Sequence, residues 1–242
     1  MRDVLAAFGI EVCSERLQPK IPVSEAARRR VDDLLAPLGG SSFVALHVGS
    51  SKEGWRALKR LPLDVWLDVA ARIVEAYDTP LVLVGSREDQ DINQEFLARA
   101  KERGLSETAL LDVGDRTTLP ELVEVLSRAA LFLGTDSGVA HAGSCSGTPL
   151  ITVFLFSDYV GFAPLGDRSH VLARRPNCSP CLYRRGYDTC ARRECFAISA
   201  EEIFEQAHAA LASSGLGRRA EAGRPNGGAG DAAARQHPAG PR

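Results

Sequence analysis

No stretch of this sequence is long and apolar enough to cross a bilayer. The longest apolar run, 150–156, is seven residues and includes Thr152, whereas a spanning helix needs about 20. No basic segment followed by an apolar run opens the chain, so the pattern of a secretion signal is missing. Charge of one sign is missing too. A formal net charge of −2 leaves no basic stripe to displace counterions, which argues against nucleic acid as a partner. Lysine is scarce, confined to Lys20, Lys52, Lys59 and Lys101, so a lysine that falls inside a motif carries more weight. Neither a G-x-G-x-x-G turn nor a G-x-x-x-x-G-K-[ST] loop is present, which disfavours a nicotinamide dehydrogenase and a P-loop ATPase. What is present, 45% hydrophobic and 25% charged residues, is the balance of a globular chain. The expectation is a soluble, cytoplasmic protein with no transmembrane segment.

Residues 213–242 are rich in Gly, Ala, Pro and Arg and lack apolar periodicity after Leu216. Such a segment buries too little surface to offset its ordering entropy and reads as a disordered tail. Ahead of it, apolar runs of strand length recur at 43–48, 81–84, 109–113, 130–133 and 150–154. Helical patterns lie between them. Trp66, Val69, Ala70, Ile73, Val74 and Tyr77 follow helical spacing after Pro62. Ile92, Phe96, Leu97 and Ala100 form the next stripe, stopped by Gly104. Thr118 with Glu121 reads as a capping box, as does Ser199 with Glu202, where Ile198 can staple onto Ile203. A shorter helix is expected from Ser137 to about Cys145. Another, capped by Ser24, turns Val31, Leu34 and Leu35 inward. Continuous apolar strands alternating with helices predict an α/β fold with a doubly wound parallel, Rossmann-like sheet.

Ligands of such sheets bind beyond the carboxyl ends of the strands. Four loops there carry polar residues suited to a nucleotide with two phosphates. The first holds His47, Gly49, Ser50 and Ser51 and continues to Lys59, Arg60, Leu61 and Pro62. The second holds Gly85, Ser86, Glu88 and Asp89, and the third Gly114, Asp115, Arg116, Thr117 and Thr118. The fourth runs Gly134-Thr135-Asp136-Ser137-Gly138-Val139-Ala140-His141. In the fourth, Gly134 and Gly138 let backbone approach a ligand. The first-turn N–H groups of the following helix make a seat for phosphate oxygens, and His141 falls one turn after Ser137 on the same face. Asp136 reads either as a helix cap or as an acceptor for a sugar hydroxyl, and His141 either as a site residue or as an interior histidine. Glu88 reads either as a carboxylate for ribose hydroxyls or as an acidic residue at a helix start; Lys59 reads either as a phosphate cation or as a surface lysine.

The residues H-x-G-S-S (His47 to Ser51), K-R-x-P (Lys59 to Pro62), G-T-D-S-G-x-x-H (Gly134 to His141) and G-T-P (Gly147 to Pro149), in that order, resemble glycosyltransferase family 9, the lipopolysaccharide ADP-heptose heptosyltransferases. The resemblance runs from about Phe43 to Leu211. It implies the C-terminal half of a GT-B enzyme, with 43–212 as the donor-binding domain and 1–42 as linker and remnant of an N-terminal domain, including the Ser24 helix. By resemblance, Gly49, Ser50, Lys59, Asp136, Ser137 and Gly138 hold the donor diphosphate and His141 lines the same pocket. Glu88, or Asp89 on an alternative alignment, takes the ribose, and Thr117 sits beside the adenine. The implied reaction moves heptose from ADP-heptose to a lipopolysaccharide core or similar lipid-linked saccharide, with transient contact at the inner-membrane surface and no cofactor needed for transfer. The general base is expected in the N-terminal domain, so this half is expected to bind donor weakly and transfer nothing alone. The alternative is a non-catalytic nucleotide-sugar-binding or thiol/metal-binding module. One departure is Leu155-Phe156-Ser157-Asp158-Tyr159, where the family has a Gly-Pro-Thr-type loop.

Cys178, Cys181, Cys190 and Cys195 form C-x₂-C-x₈-C-x₄-C within the loop 178–195. The spacing suits a structural four-cysteine zinc or iron site, with free thiols or a disulfide as the alternatives. Nearby Arg184, Arg185, Arg192 and Arg193 are expected to favour thiolate, or to face an anionic acceptor or membrane surface. The resembled family often carries cysteines at this point, and some members hold iron there. Cys13 and Cys145 read as isolated small apolar residues.

Overall fold

The computed structural model describes residues 19–50, 59–179, 181, 190 and 193–216. The expectations placed on residues 1–18, on the loop 51–58, on Arg184, Arg185 and Arg192, and on the tail beyond residue 216 lie outside the described residues.

In chain order the elements are α1 (Glu25–Leu35), β1 (Val44–His47), α2 (Leu63–Tyr77), β2 (Leu81–Leu83), α3 (Gln90–Glu102), β3 (Leu110–Asp112) and α4 (Leu119–Arg128). They continue with β4 (Leu131–Thr135), α5 (Gly138–Ser146), β5 (Leu150–Phe154), α6 (Tyr159–Phe162), β6 (Ser169–Ala173) and α7 (Ala200–Ser213). Six strands form one sheet in the order β3-β2-β1-β4-β5-β6, and every neighbouring pair is parallel. The chain winds outward from β1 to β3, then returns to pair β4 with β1 and winds the other way. The crevice between β1 and β4 is therefore the topological switch point, where loops diverge and leave room for a ligand.

Alternate residues of each inner strand feed two cores, as the strand period of two requires. On one face Val44, Leu46, Leu81, Leu83, Leu131 and Leu133 pack with Trp66 and Ile73 of α2, Phe96 of α3 and Leu211 of α7. On the other, Ala45, Val82 and Phe132 pack with Val31 and Leu34 of α1, Val123 and Leu126 of α4 and Ala140 of α5. The helix starts follow their caps. The Ser24 hydroxyl accepts from the Ala27 N–H, and both expected capping boxes form at Thr118/Glu121 and Ser199/Glu202. A buried carboxylate, Glu124 of α4, accepts from Arg28 of α1 at 3.1 Å and from Arg128 at 2.9 Å. It joins the two helices of that layer.

The parallel α/β expectation holds, and two elements extend it. The edge strand β6 is absent from the apolar pattern because its residues are only partly buried. The short α6 starts at Asp158, whose carboxylate accepts the Val160 N–H at 3.0 Å. Among the described residues no helix is long and apolar enough to span a membrane.

The two glycines of the fourth loop differ from one another. A Cβ on Gly134 would fall 2.6 Å from the buried Phe132 ring and 3.2 Å from His47 Cβ, whereas a Cβ on Gly138 meets nothing within 4 Å. Gly134 therefore serves packing rather than ligand approach, and only Gly138 of the pair borders open space. Gly134→Ala should destabilise the fold by about 1–3 kcal/mol, the scale of overpacking. Gly138→Ala should stay within about 0.5 kcal/mol of the parent. Urea unfolding followed by circular dichroism checks both.

Candidate functional site

A cleft of about 510 Å³ opens over the carboxyl ends of the central strands. It is lined by His47 at the end of β1 and Ser50 beyond it, Gly85, Ser86, Glu88 and Asp89 after β2, Thr117, Thr118, Leu119 and Leu122 at the start of α4, and Ser137, Gly138 and Val139 after β4. Four loops from four consecutive strands thus meet at the switch point. Of the expected site residues, Ser50, Glu88, Thr117, Ser137 and Gly138 line this cleft.

Lys59 and Asp136, 77 positions apart in sequence, come together. Lys59 Nζ lies 2.5 Å from Asp136 Oδ2, and the carboxylate is buried. The Ser157 hydroxyl donates to the same oxygen at 2.6 Å. Asp136 is thus neither a plain helix cap nor open to a sugar hydroxyl through that oxygen. It anchors the Lys59 ammonium at the end of the first loop. Ser157 sits in the stretch where the sequence departs from the resembled family, so that departure contributes a partner for Asp136. The loop is braced from below by Thr135, whose hydroxyl donates to the Gly49 carbonyl at 2.5 Å. The Arg60 guanidinium donates to the Ser50 carbonyl.

Helix α5 begins at Ser137, extended at φ −156° and ψ 170°, with no hydrogen bond from its side chain to the helix. The first N–H groups of a helix lack internal partners, and with the open space at Gly138 they face the cleft as a ready anion seat. The Ser137 hydroxyl is instead 3.1 Å from His47 Nδ1. His141 is exposed one turn later and does not line the cleft.

The second loop separates its two acidic residues. Glu88 is exposed at the cleft lip while Asp89 is buried. Asp89 Oδ2 accepts from the backbone and hydroxyl of Ser86 at 2.8 and 3.0 Å and lies 3.4 Å from His47 Nε2. A Cβ on Gly49 would fall 2.0 Å from Asp89 Oδ1, so Gly49 makes room for this carboxylate. Being occupied internally, Asp89 is the poorer of the two candidates for a ribose, and Glu88 the better. Leu119, 54% exposed, lines the cleft with Leu122 and Val139 beside Thr117. This apolar wall escaped the sequence reading because its residues look like the inward stripe of an ordinary helix.

Cys178, Cys190 and Cys195 carry free thiols, and the Cys181 thiol donates to the Cys178 carbonyl at 3.4 Å. Among the described residues no group of three or more His, Cys, Asp or Glu side chains is placed to hold a metal ion, so the residues as placed do not fit the tetrahedral zinc or iron site that their spacing suggests. Cys195 is buried in the core beside α7. Burial, with the neighbouring Cys181, pushes its thiol up to about 11, away from the thiolate that the nearby arginines were expected to favour.

Comparison with known proteins adds the following. Residues 1–190 match the sequence profile of glycosyltransferase family 9 (heptosyltransferase). Lipopolysaccharide heptosyltransferase 3 of Escherichia coli is 39% identical over 49 residues, which cover 20% of this chain and 14% of that protein. Among solved structures, the E. coli ADP-heptose LPS heptosyltransferase II superposes with a TM-score of 0.62 at 18% identity, covering 81% of this chain and 54% of that one. A glycosyl transferase family 9 structure from Veillonella parvula DSM 2008 gives 0.70 at 18% identity, covering 87% and 58%. The chain spans little more than half the length of these solved structures.

Burial raises the Asp89 carboxyl, but contact with His47 and the Ser86 hydrogen bonds outweigh it and hold the group at about 2, against an ordinary 3.8. A depressed carboxyl stabilises the fold fully above its unfolded value and loses that contribution as pH falls toward its folded value. Asp89→Asn should therefore lower stability at pH 6 by about 1–2 kcal/mol and flatten the decline between about pH 4 and pH 2. Urea melts across that range measure it.

Proposed function

We propose that this chain, which belongs to glycosyltransferase family 9, the heptosyltransferases, supplies the nucleotide-sugar site of a glycosyl transfer from ADP-heptose to a lipopolysaccharide-core or similar lipid-linked saccharide. The carrying observation is the pairing of Lys59 with Asp136 at 2.5 Å, on the residue directly before the open helix start at Ser137 and Gly138, which lines the cleft. A diphosphate seated there meets the ammonium of Lys59 and the N–H groups of the α5 first turn. Both act on the charge that builds as the glycosidic C–O bond to phosphate breaks. Preorganised donors of this kind lower the barrier because they need no rearrangement at that moment. Glu88 at the lip takes the ribose hydroxyls, and Thr117 with the apolar wall of Leu119, Leu122 and Val139 takes the adenine face. His141, exposed just beyond the helix start, serves the sugar end of the donor. The names of the E. coli relatives, one an ADP-heptose enzyme and one a lipopolysaccharide heptosyltransferase, support this choice of donor and acceptor. No residue of this chain is assigned as the base that activates an acceptor hydroxyl, so donor binding is the step we ascribe to it. We place that step at the cytoplasmic side of the inner membrane, where a lipid-linked acceptor is presented.

Calorimetric titration tests the reading. ADP-heptose and ADP should bind, and UDP should bind more weakly because a pyrimidine covers less of the apolar wall. Lys59→Gln, which leaves Asp136 a hydrogen-bond donor, should weaken ADP on the order of tenfold and leave adenosine unchanged, whereas Glu88→Ala should weaken both. No heat with any adenine diphosphate, in a sample whose circular dichroism shows it folded, ends the reading.

A further inference from the structure

Three side chains form a line at the cleft floor. Ser137 Oγ lies 3.1 Å from His47 Nδ1, and His47 Nε2 lies 3.4 Å from Asp89 Oδ2. His47 and Asp89 are 1% and 4% exposed, deep for a titratable pair beneath an anion seat. We propose that His47 and Asp89 are positioning residues that set the direction of the Ser137 hydroxyl, so that gain of a proton by His47 turns Ser137 from a withdrawn group into a hydrogen-bond donor toward the donor diphosphate. The proposal rests on reading the cleft as a diphosphate site.

Asp89 is locked in place. Ser86 donates to it twice. A Cβ on Gly49 or Gly85 would fall 2.0 Å from its Oδ1 or 2.9 Å from its Cβ, so both glycines are cut to its outline. A carboxylate oxygen 3.4 Å from the buried Nε2, which has no closer hydrogen-bond partner, favours a proton on that nitrogen by its charge, which leaves Nδ1 to choose between two roles. In neutral His47, Nδ1 is a lone pair and takes the Ser137 O–H, so Oγ offers the cleft only lone pairs, which repel phosphate oxygens. When His47 takes a proton from solvent, Nδ1–H donates to Oγ, and the Ser137 O–H is released to point into the cleft beside the helix N–H groups. Ser137 can turn in this way because its side chain makes no capping bond to α5. Among the described residues, the ionisable groups on the elements about His47 are Arg87, Glu88 and Asp89 of the second loop, Arg60 and the Lys59–Asp136 pair of the first and fourth loops, and His141 one turn into α5.

The test is binding of ADP-glucose to the full chain at about pH 5.5 and about pH 8.5, on either side of the ordinary histidine range. The diphosphate of ADP-glucose carries no group that titrates there, and adenosine is the control for the nucleoside end. Wild type should bind ADP-glucose on the order of tenfold more tightly at the lower pH, the worth of one charge-assisted hydrogen bond, with adenosine unchanged. His47→Asn keeps a neutral N–H where Nδ1 stands. It should lose most of that pH ratio while still binding, and any response owed to His141 or Lys59 persists in it. Should His47→Asn fail to fold, Ser137→Ala carries the test, since it removes one hydroxyl that caps nothing. It should bind at both pH values as weakly as wild type does at the higher one. A pH ratio in Ser137→Ala equal to that of wild type overturns the proposal. A folded wild-type chain that binds ADP-glucose at neither pH overturns the diphosphate reading, and this proposal with it.

Discussion

Two buried carboxylates beneath the rim proposed to seat a diphosphate would repel it and unfold the loops that carry them unless each were compensated from within the protein. This constraint organises the site. Asp136 is met by the Lys59 ammonium and the Ser157 hydroxyl, and Asp89 by His47 and by both donors of Ser86. A lone buried charge costs several kcal/mol, and its partners repay that cost only where geometry and additional hydrogen bonds are good. The result is that two acidic residues act as anchors. One fixes a lysine against the fourth loop, the other fixes a histidine under the helix start. Polarity that looks wrong for phosphate when read residue by residue is correct when read as pairs.

The sheet order makes those pairs reachable. Lys59 follows β1 and Asp136 follows β4, and these strands are neighbours only because the chain reverses its winding between β3 and β4. Their register sets His47 opposite Gly134. The strand-end histidine thus lies beneath the loop whose serine precedes the next helix, while β2, on the other flank of β1, delivers Asp89. Topology, rather than local sequence, brings the three loops to one point.

Much of this was legible in the residues. The first five strands announce themselves by apolar runs, continuous in the four inner ones, β1, β2, β4 and β5, because both of their faces are covered. The helices announce themselves by capping boxes at Thr118 and Ser199 and by the stripe from Trp66 to Tyr77. The loops after β1, β2, β3 and β4 follow from the rule that ligands gather at strand carboxyl ends. What stayed hidden depends on partners distant in sequence. β6 needs only one neighbour and a half-covered face, so Ser169–Ala173 carries no continuous apolar run. The internal use of Asp89, against the open placement of Glu88, cannot be read from two adjacent acidic residues. The cysteine spacing signals a metal, yet spacing says nothing of how the side chains are aimed: Cys178, Cys181 and Cys190 all lie near Cys195, but among the described residues no group of three or more is placed to hold an ion.

Glycine placement sharpens where a ligand can come close. A missing side chain is often taken as room for a ligand, but most of this room is already filled. Gly49 and Gly85 yield to the Asp89 carboxylate, and Gly134 yields to Phe132 and His47. Gly138 alone among these four faces open space, and it is also the first residue of α5. A helix start without a side chain in front of it exposes its N–H groups directly, whereas a β-carbon there would shield part of them. The tight glycines hold the carboxylate and the ring that brace the loops, and the open one marks where those loops present backbone to an anion. Both functions are needed for a seat that is rigid from below and accessible from above.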